Sequence, residues 1–269
     1  MMLKLMASKH TLLFSSILVL ISSLITSIDV DGKHLSGCDF ALTRIIVILY
    51  LILIMKHYAF MRKKEFSLSK FPVTIIGGIP LMVIGAGSTL MTNSGVITFQ
   101  KLPMCSTTLK FVLNMLLIGI VEELLYRGVV FNCLLKKWET HKNYPTLPII
   151  VSALFFGLAH FVNVFTFSLP NVFMQVINST CSGVLFATLY WKFRNMLGII
   201  VVHALTDFLA LFAQELFPST SSSIVSASMS IAQIIIALLF GAGVPLLTAY
   251  IIYRKVPLSN NINEKVCLP

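Results

Sequence analysis

Apolar residues in this chain come in long runs separated by short polar breaks. Eight runs can be read, at about 11–28, 40–55, 71–92, 108–132, 146–168, 171–191, 196–213 and 228–253. An α-helix needs roughly 20 residues to cross a hydrocarbon core. Backbone left unbonded in lipid is so costly that only helices and closed barrels span a membrane. The pattern therefore predicts an all-α, polytopic membrane protein, a bundle of about eight transmembrane helices. The second run is the weakest, with Arg44 near its start, and reads as tilted or interfacial. The first, TLLFSSILVLISSLIT after Lys4 and Lys9, resembles a signal peptide. It is read as a retained span, since no small-residue cleavage site follows. Gly77, Gly78, Pro80, Gly85 and Gly87 in the third run predict either a kinked helix or close packing through small residues.

Composition agrees with this class. Of the 269 residues 57% are hydrophobic and 11% charged, and the mean hydropathy is +0.91. Soluble domains have about a quarter of their residues charged. A net charge of +10 in such a chain reports basic loops. Lys4 and Lys9, the cluster Lys56, Arg62, Lys63, Lys64 and Lys70, then Lys136 and Lys137, Lys192 and Arg194, and Arg254 and Lys255 all fall on one side of an eight-span reading. The opposite loops hold Asp29, Asp31, Asp39 and Glu215. By the positive-inside rule the chain is a multi-pass protein of the cell membrane with both termini cytoplasmic. No aromatic-interleaved basic patch is present, so the bilayer is the expected partner and nucleic acid is not. The five cysteines lack CxxC spacing, which argues against a disulfide framework or a thiolate zinc site. Cys267 sits one place short of a C-terminal prenylation box. The sequon at Asn178 lies inside a run and is read as chance.

No repeat or soluble domain interrupts the runs. The chain divides into N-terminal helices over 1–107 (about three), a core over 108–213, and a last helix with a short tail over 214–269. Few ionisable side chains fall at membrane depth: Glu122, Glu123 and Arg127 on the fourth run, His160 on the fifth, His203 and Asp207 on the seventh. A charge at the centre of an inserted helix costs about 2.5–3.5 kcal/mol, so such residues usually face the bundle interior and mark a site.

Spacing sorts them. Glu123 and Arg127 are i, i+4 and share a face. Glu122 lies about 100° around the helix and is left without that partner. Phe156, His160 and Asn163 share a face of the fifth helix, and His203 and Asp207 are again i, i+4. Gly128, Gly157 and Gly183 allow neighbouring helices to approach. Each feature also has a structural reading. Glu123–Arg127 is preferred as a structural ion pair, a single buried histidine is often a satisfied core group, and Asp207 orients His203. Asn163 caps or bridges helices, while Tyr126 and Phe156 pack. Three helices each bringing helically spaced polar groups favour a site. A carboxylate, two imidazoles and no nucleophile point to water chemistry, with a carboxylate base and imidazole donors for a tetrahedral oxyanion.

At these residues the chain resembles the CAAX prenyl protease and bacteriocin-processing family (CPBP, or Abi) of intramembrane proteases. The motif EExxxR is matched by Glu122 to Arg127, FxxxH by Phe156 to His160, and HxxxN/D by His203 to Asp207. The resemblance implies a helical bundle enclosing an endopeptidase site. By similarity Glu122 and His160 activate water, His203 and Asp207 hold the oxyanion, and Glu123, Arg127, Phe156 and Asn163 support. Glu, His and His are also legitimate zinc ligands. A metal-free site without cofactor is preferred, because HExxH is absent and the acid–imidazole pairs suffice. Asp207 stands where Asn is common in eukaryotic members, which counts against prenylated CAAX substrates. The implied substrate is a peptide or membrane protein, in a bacterial setting such as bacteriocin self-immunity or peptide processing. Two alternatives compete: a non-catalytic membrane immunity or interaction protein, and a proton-coupled transporter. The sequence contains no inverted repeat to support the transporter.

Overall fold

A computed structural model describes residues 10–26, 38–92, 105–216 and 231–257. Lys4, Lys9, Asp29, Asp31 and Cys267 lie outside the described residues. Every regular element among the described residues is helical, in the order the apolar runs predict. Helix α1 is Thr11–Thr26, α2 is Cys38–His57 and α3 is Phe71–Thr92. Helix α4 runs as an α-helix over Cys105–Glu123, widens to a π-helix over Leu124–Phe131, and closes as an α-helix over Asn132–Lys137. Helix α5 is α-helical over Thr146–Ala159 and tightens to a 3-10 helix over His160–Phe165. Helices α6 and α7 are Leu169–Phe193 and Met196–Leu216. Helix α8 spans Ile231–Ile236, a π segment Ala237–Gly243, and Val244–Lys255.

Six of these, α2, α3, α5, α6, α7 and α8, are long and apolar enough to cross a membrane. The second run, expected to be the weakest, is among them. Of the other two, α1 has 16 residues, and α4 is interrupted by its π turn where Glu122, Glu123 and Arg127 cluster. Large side chains such as Leu53, Ile76, Val83 and Leu239 lie on the outside of the bundle. An apolar surface of that extent is unsuited to water and suited to lipid. The chain is a multi-pass membrane protein.

The middle of α4 is the centre of the bundle, with every residue from Leu124 to Phe131 buried. Helices α1, α2, α5, α6 and α7 surround it, and α3 lies along α7. Of the two readings of the glycine-rich third run, close packing holds. Helix α3 is unbroken through Pro80. A Cβ on Gly85 would stand 2.6 Å from the Thr206 carbonyl oxygen. The Thr89 hydroxyl donates to the carbonyls of Leu209 at 2.7 Å or Ala210 at 2.8 Å. Small residues thus let two helices meet backbone to backbone where lipid supplies no hydrophobic drive.

One end of the bundle is tied by polar contacts. Glu65, in a 3-10 turn over Lys63–Phe66, pairs with Arg194 at 2.8 Å and accepts from the Tyr190 hydroxyl at 2.7 Å. Arg194 also donates to Asn132 Oδ1 at 3.2 Å. The turn between α6 and α7 is made by Arg194 in the left-handed region, φ 47°. The next residue, Asn195, caps α7 by accepting from the Gly198 N–H at 2.6 Å. The basic stretches at 63–64, 136–137, 192–194 and 254–255 thus collect where these elements end.

The packing of α3 on α7 separates two glycines two residues apart. Gly85→Ala must push α7 aside and should lower stability by about 1–3 kcal/mol. Gly87, where an added methyl would meet nothing within 4 Å, should accept alanine without loss and with a small gain in helix propensity. Melting temperatures of the two purified variants in one detergent check the contrast.

Candidate active site

Adjacent residues on a helix diverge by about 100°, and Glu122 and Glu123 leave α4 in different directions. Glu123 turns inward and is fully buried, as is Arg127, and the two pair at 2.9 Å through Oε1 and Nη1. The i, i+4 reading of this pair therefore holds. The guanidinium is held further by Nη2, which donates to the Gly183 carbonyl at 3.1 Å. Phe156 and Phe186 flank it with ring centres 4.8 and 5.1 Å from Cζ. Gly183 brings the α6 backbone that close: a Cβ there would lie 3.1 Å from Ala153 Cα on α5. Asn132 then takes up two carbonyls of the π segment, donating to Arg127 O and Gly128 O at 3.0 and 2.9 Å.

The Glu123 carboxylate does more than pair with Arg127. Its Oε1 also receives His203 Nδ1 from α7 at 2.6 Å. A carboxylate oxygen only accepts, so the Nδ1–H donates and the ring is fixed by a residue 80 positions away. His203 lies nearly parallel to Phe186, at 4.9 Å and 16°. Its Nε2 then points at two further carboxylates, Glu122 Oε2 at 3.3 Å and Asp207 Oδ2 at 3.5 Å. Among the described residues Glu123 Oε2 and Arg127 Nε have no hydrogen-bond partner.

Phe156 joins the second histidine to this group. Its ring meets His160 at 5.1 Å and His203 at 5.7 Å, both edge to face. The imidazoles are thus no farther apart than those two distances together. His160 Nδ1 lies 2.9 Å from the Phe156 carbonyl oxygen. A carbonyl also only accepts, so the proton sits on Nδ1 and Nε2 is left available. Asn163 turns away and donates to Gln175 Oε1 at 2.8 Å, bridging α5 to α6. Of its two readings the bridging one is observed.

Glu122 keeps 27% of its side chain exposed and Asp207 29%. A cavity of about 70 Å³ reaches Glu122 from the side of α1 and α2, past Tyr126, Ser22 and Arg44. The spacing of charged residues did not reveal Phe186, the Gly183 carbonyl or Asn132, because none of them carries charge. Zinc requires several donors converging on one point. Among the described residues no three His, Cys, Asp or Glu side chains are placed to hold one ion. No step below is routed through a metal.

Residues 105–209 match the family described as type II CAAX prenyl endopeptidase, Rce1-like. The matched stretch begins with α4 and ends just past Asp207, so it contains all three motifs. It agrees with the resemblance read from them, and the family implies a protease. No curated protein and no solved structure matches the chain.

The buried pair makes a test of stability. Glu123→Gln strands Arg127 and unties His203, and removing one partner of a buried pair costs about 3–5 kcal/mol. Arg127→Gln should cost a similar amount. Both variants should show lowered melting temperature and yield, measured beside Glu122→Gln, whose partly exposed carboxylate lies outside the pair.

Proposed function

Taking as premise that residues 105–209 match the Rce1-like family, we propose that the chain is an intramembrane endopeptidase using Glu122 and His160 to activate water. The observation that carries this reading is the disposition of His203. One ring nitrogen is tied to the buried Glu123–Arg127 pair, and the other faces Glu122 and Asp207. A rigidly held imidazole beside a partly exposed carboxylate forms an acid–base pair of the kind that adds water to a carbonyl.

In this reading a water lies between Glu122 and His160 Nε2. Glu122 takes its proton as the oxygen attacks the scissile carbonyl carbon, and the C=O electron pair becomes an oxyanion. His203, protonated on both nitrogens, donates Nε2–H to that oxyanion, while Glu123 keeps the ring in place. The surrounding carboxylates balance the imidazolium charge. As the tetrahedral intermediate collapses, the C–N bond breaks and Glu122 returns the proton to the leaving amine. An ionised Asp207 facing an oxyanion would repel it, so Asp207 acts on the imidazole and keeps Nε2 aimed. Preorganised donors of this kind contribute about 2.7–4 kcal/mol each to transition-state stabilisation.

The substrate in this proposal is a peptide or membrane protein within the bilayer. The setting is a bacterial cell membrane with both termini cytoplasmic, and the role is peptide processing or bacteriocin self-immunity. Residues 1–107 and 214–269 then supply the helices that shape access to the core at 108–213.

Glu122→Gln preserves shape and removes the base, so the purified variant should fold and melt like the parent. Its proteolysis should fall about a hundredfold to ten-thousandfold. Full activity in that variant would reverse the roles of the two glutamates. Proteolysis should also persist through prolonged treatment with a strong zinc chelator. Loss of activity that added zinc restores would make Glu122, His160 and His203 ligands instead.

A further inference from the structure

Hydrolysis uses one water for each bond cut. Its oxygen goes to the new acid, and its hydrogens are shared between the acid and the released amine. The hydrocarbon core of a bilayer holds no water to draw on, so a peptidase within it needs a wetted path to its base. The cavity that reaches Glu122 measures about 70 Å³. A water takes up about 30 Å³ in the liquid, so this space suits about two waters and is too small for a peptide.

The wall of the cavity is polar. Ser22, Ser23, Thr26 and Arg44, from α1 and α2, line it together with Glu122 and Tyr126 of α4. The Ser22 hydroxyl donates to Leu18 O at 2.7 Å and the Thr26 hydroxyl to Ser22 O at 2.9 Å. A hydroxyl oxygen that has donated keeps lone pairs with which to accept. Arg44 supplies donors, and its Nη1 is fixed by Thr26 O at 3.3 Å, Phe40 O at 3.2 Å and Thr43 Oγ1 at 3.1 Å. The Glu122 charge acts on Arg44, yet among the described residues no direct ion pair joins the two. Opposite charges that share a small cavity without touching are the arrangement that bridging water completes. Apolar cavities stay dry, whereas a polar one that offers each water about three hydrogen bonds fills.

We propose that this cavity is a water site that feeds Glu122, with α1 and α2 as its walls. The proposal rests on the peptidase reading of Glu122. Water passes from Thr26, the last residue of α1, along the hydroxyls to the carboxylate that takes its proton. Ser22, Ser23, Thr26 and Arg44 all precede residue 105, where the family match begins. The N-terminal helices thus contribute to the chemistry from outside the matched stretch.

Pulsed X-ray radiolysis tests the site, because hydroxyl radicals made from a bound water mark the side chains beside it where bulk solvent does not reach. The full-length chain is irradiated in nanodiscs of zwitterionic lipid, and marked residues are read by mass spectrometry. Tyr126 and Phe131 are buried aromatics of the same helix, 3% and 0% exposed, and of the two Tyr126 lines the cavity. Tyr126 should be marked and Phe131 should not. Ser23→Leu puts apolar bulk into the cavity. It should erase the Tyr126 mark and slow proteolysis about tenfold, the worth of one hydrogen bond at the reacting centre. Thr26→Val keeps the shape, removes one hydroxyl and should lower both readings in the same direction, so the test does not depend on one variant folding. Equal marking of Tyr126 and Phe131, or a Tyr126 mark that neither substitution lowers, would overturn the water site. A lost mark with proteolysis at the parental rate would overturn its role as the supply. The peptidase reading fails separately, if Glu122→Gln cleaves as the parent does, whatever the marking shows.

Discussion

One carboxylate oxygen organises this molecule. Glu123 Oε1 accepts from Arg127 on its own helix and from His203 on another, deep in a bundle where neither charge reaches water. A buried ion pair is rarely a source of net stability, because desolvation offsets most of the attraction. What it supplies here is position. Arg127 is held by Gly183 and two aromatic faces, Glu123 by Arg127, and His203 by Glu123. Each group is thus set by the one before it, and the imidazole stands at the end of a chain of constraints. Partial satisfaction, with Glu123 Oε2 and Arg127 Nε unpartnered, fits a site under functional constraint better than one optimised for stability.

The bundle is built to make that hub possible. Small residues bring α3 against α7 and α5 against α6, and the π segment of α4 is followed by Asn132, which takes up its carbonyls. π turns recur at functional sites because they break the regular face of a helix. A second polar cluster, Glu65 with Arg194, Tyr190 and Asn132, ties the same helices at one end of the bundle. Asn132 belongs to both, through the Arg127 carbonyl on one side and Arg194 on the other. The two networks are therefore mechanically joined through α4.

Much of this was legible before any coordinates. Among the described residues the eight apolar runs became eight helices with ends shifted by a few residues, and six of them meet the length and hydrophobicity that a membrane span needs. The Glu123–Arg127 pair and the His203–Asp207 proximity followed from i, i+4 spacing. Local spacing says nothing about partners on other helices, so the bond between Glu123 and His203 was out of reach. Phe186 and Gly183 lie on α6, which carries no charged motif. The π segment and the 3-10 turn at His160 arise from packing, not from residue propensity. Arg44 was noticed only as a blemish in a span, since its cavity exists only once α1, α2 and α4 are assembled.

The stacking of His203 on Phe186 reaches into spectroscopy. A ring whose centre lies 4.9 Å from that of Phe186 and 16° from parallel is within reach of the phenyl ring current. Its carbon-bound protons should be shifted from those of exposed histidines such as His10 and His141. The histidine at the centre of the site therefore carries its own label, and its shift reports whether α6 and α7 stay in register.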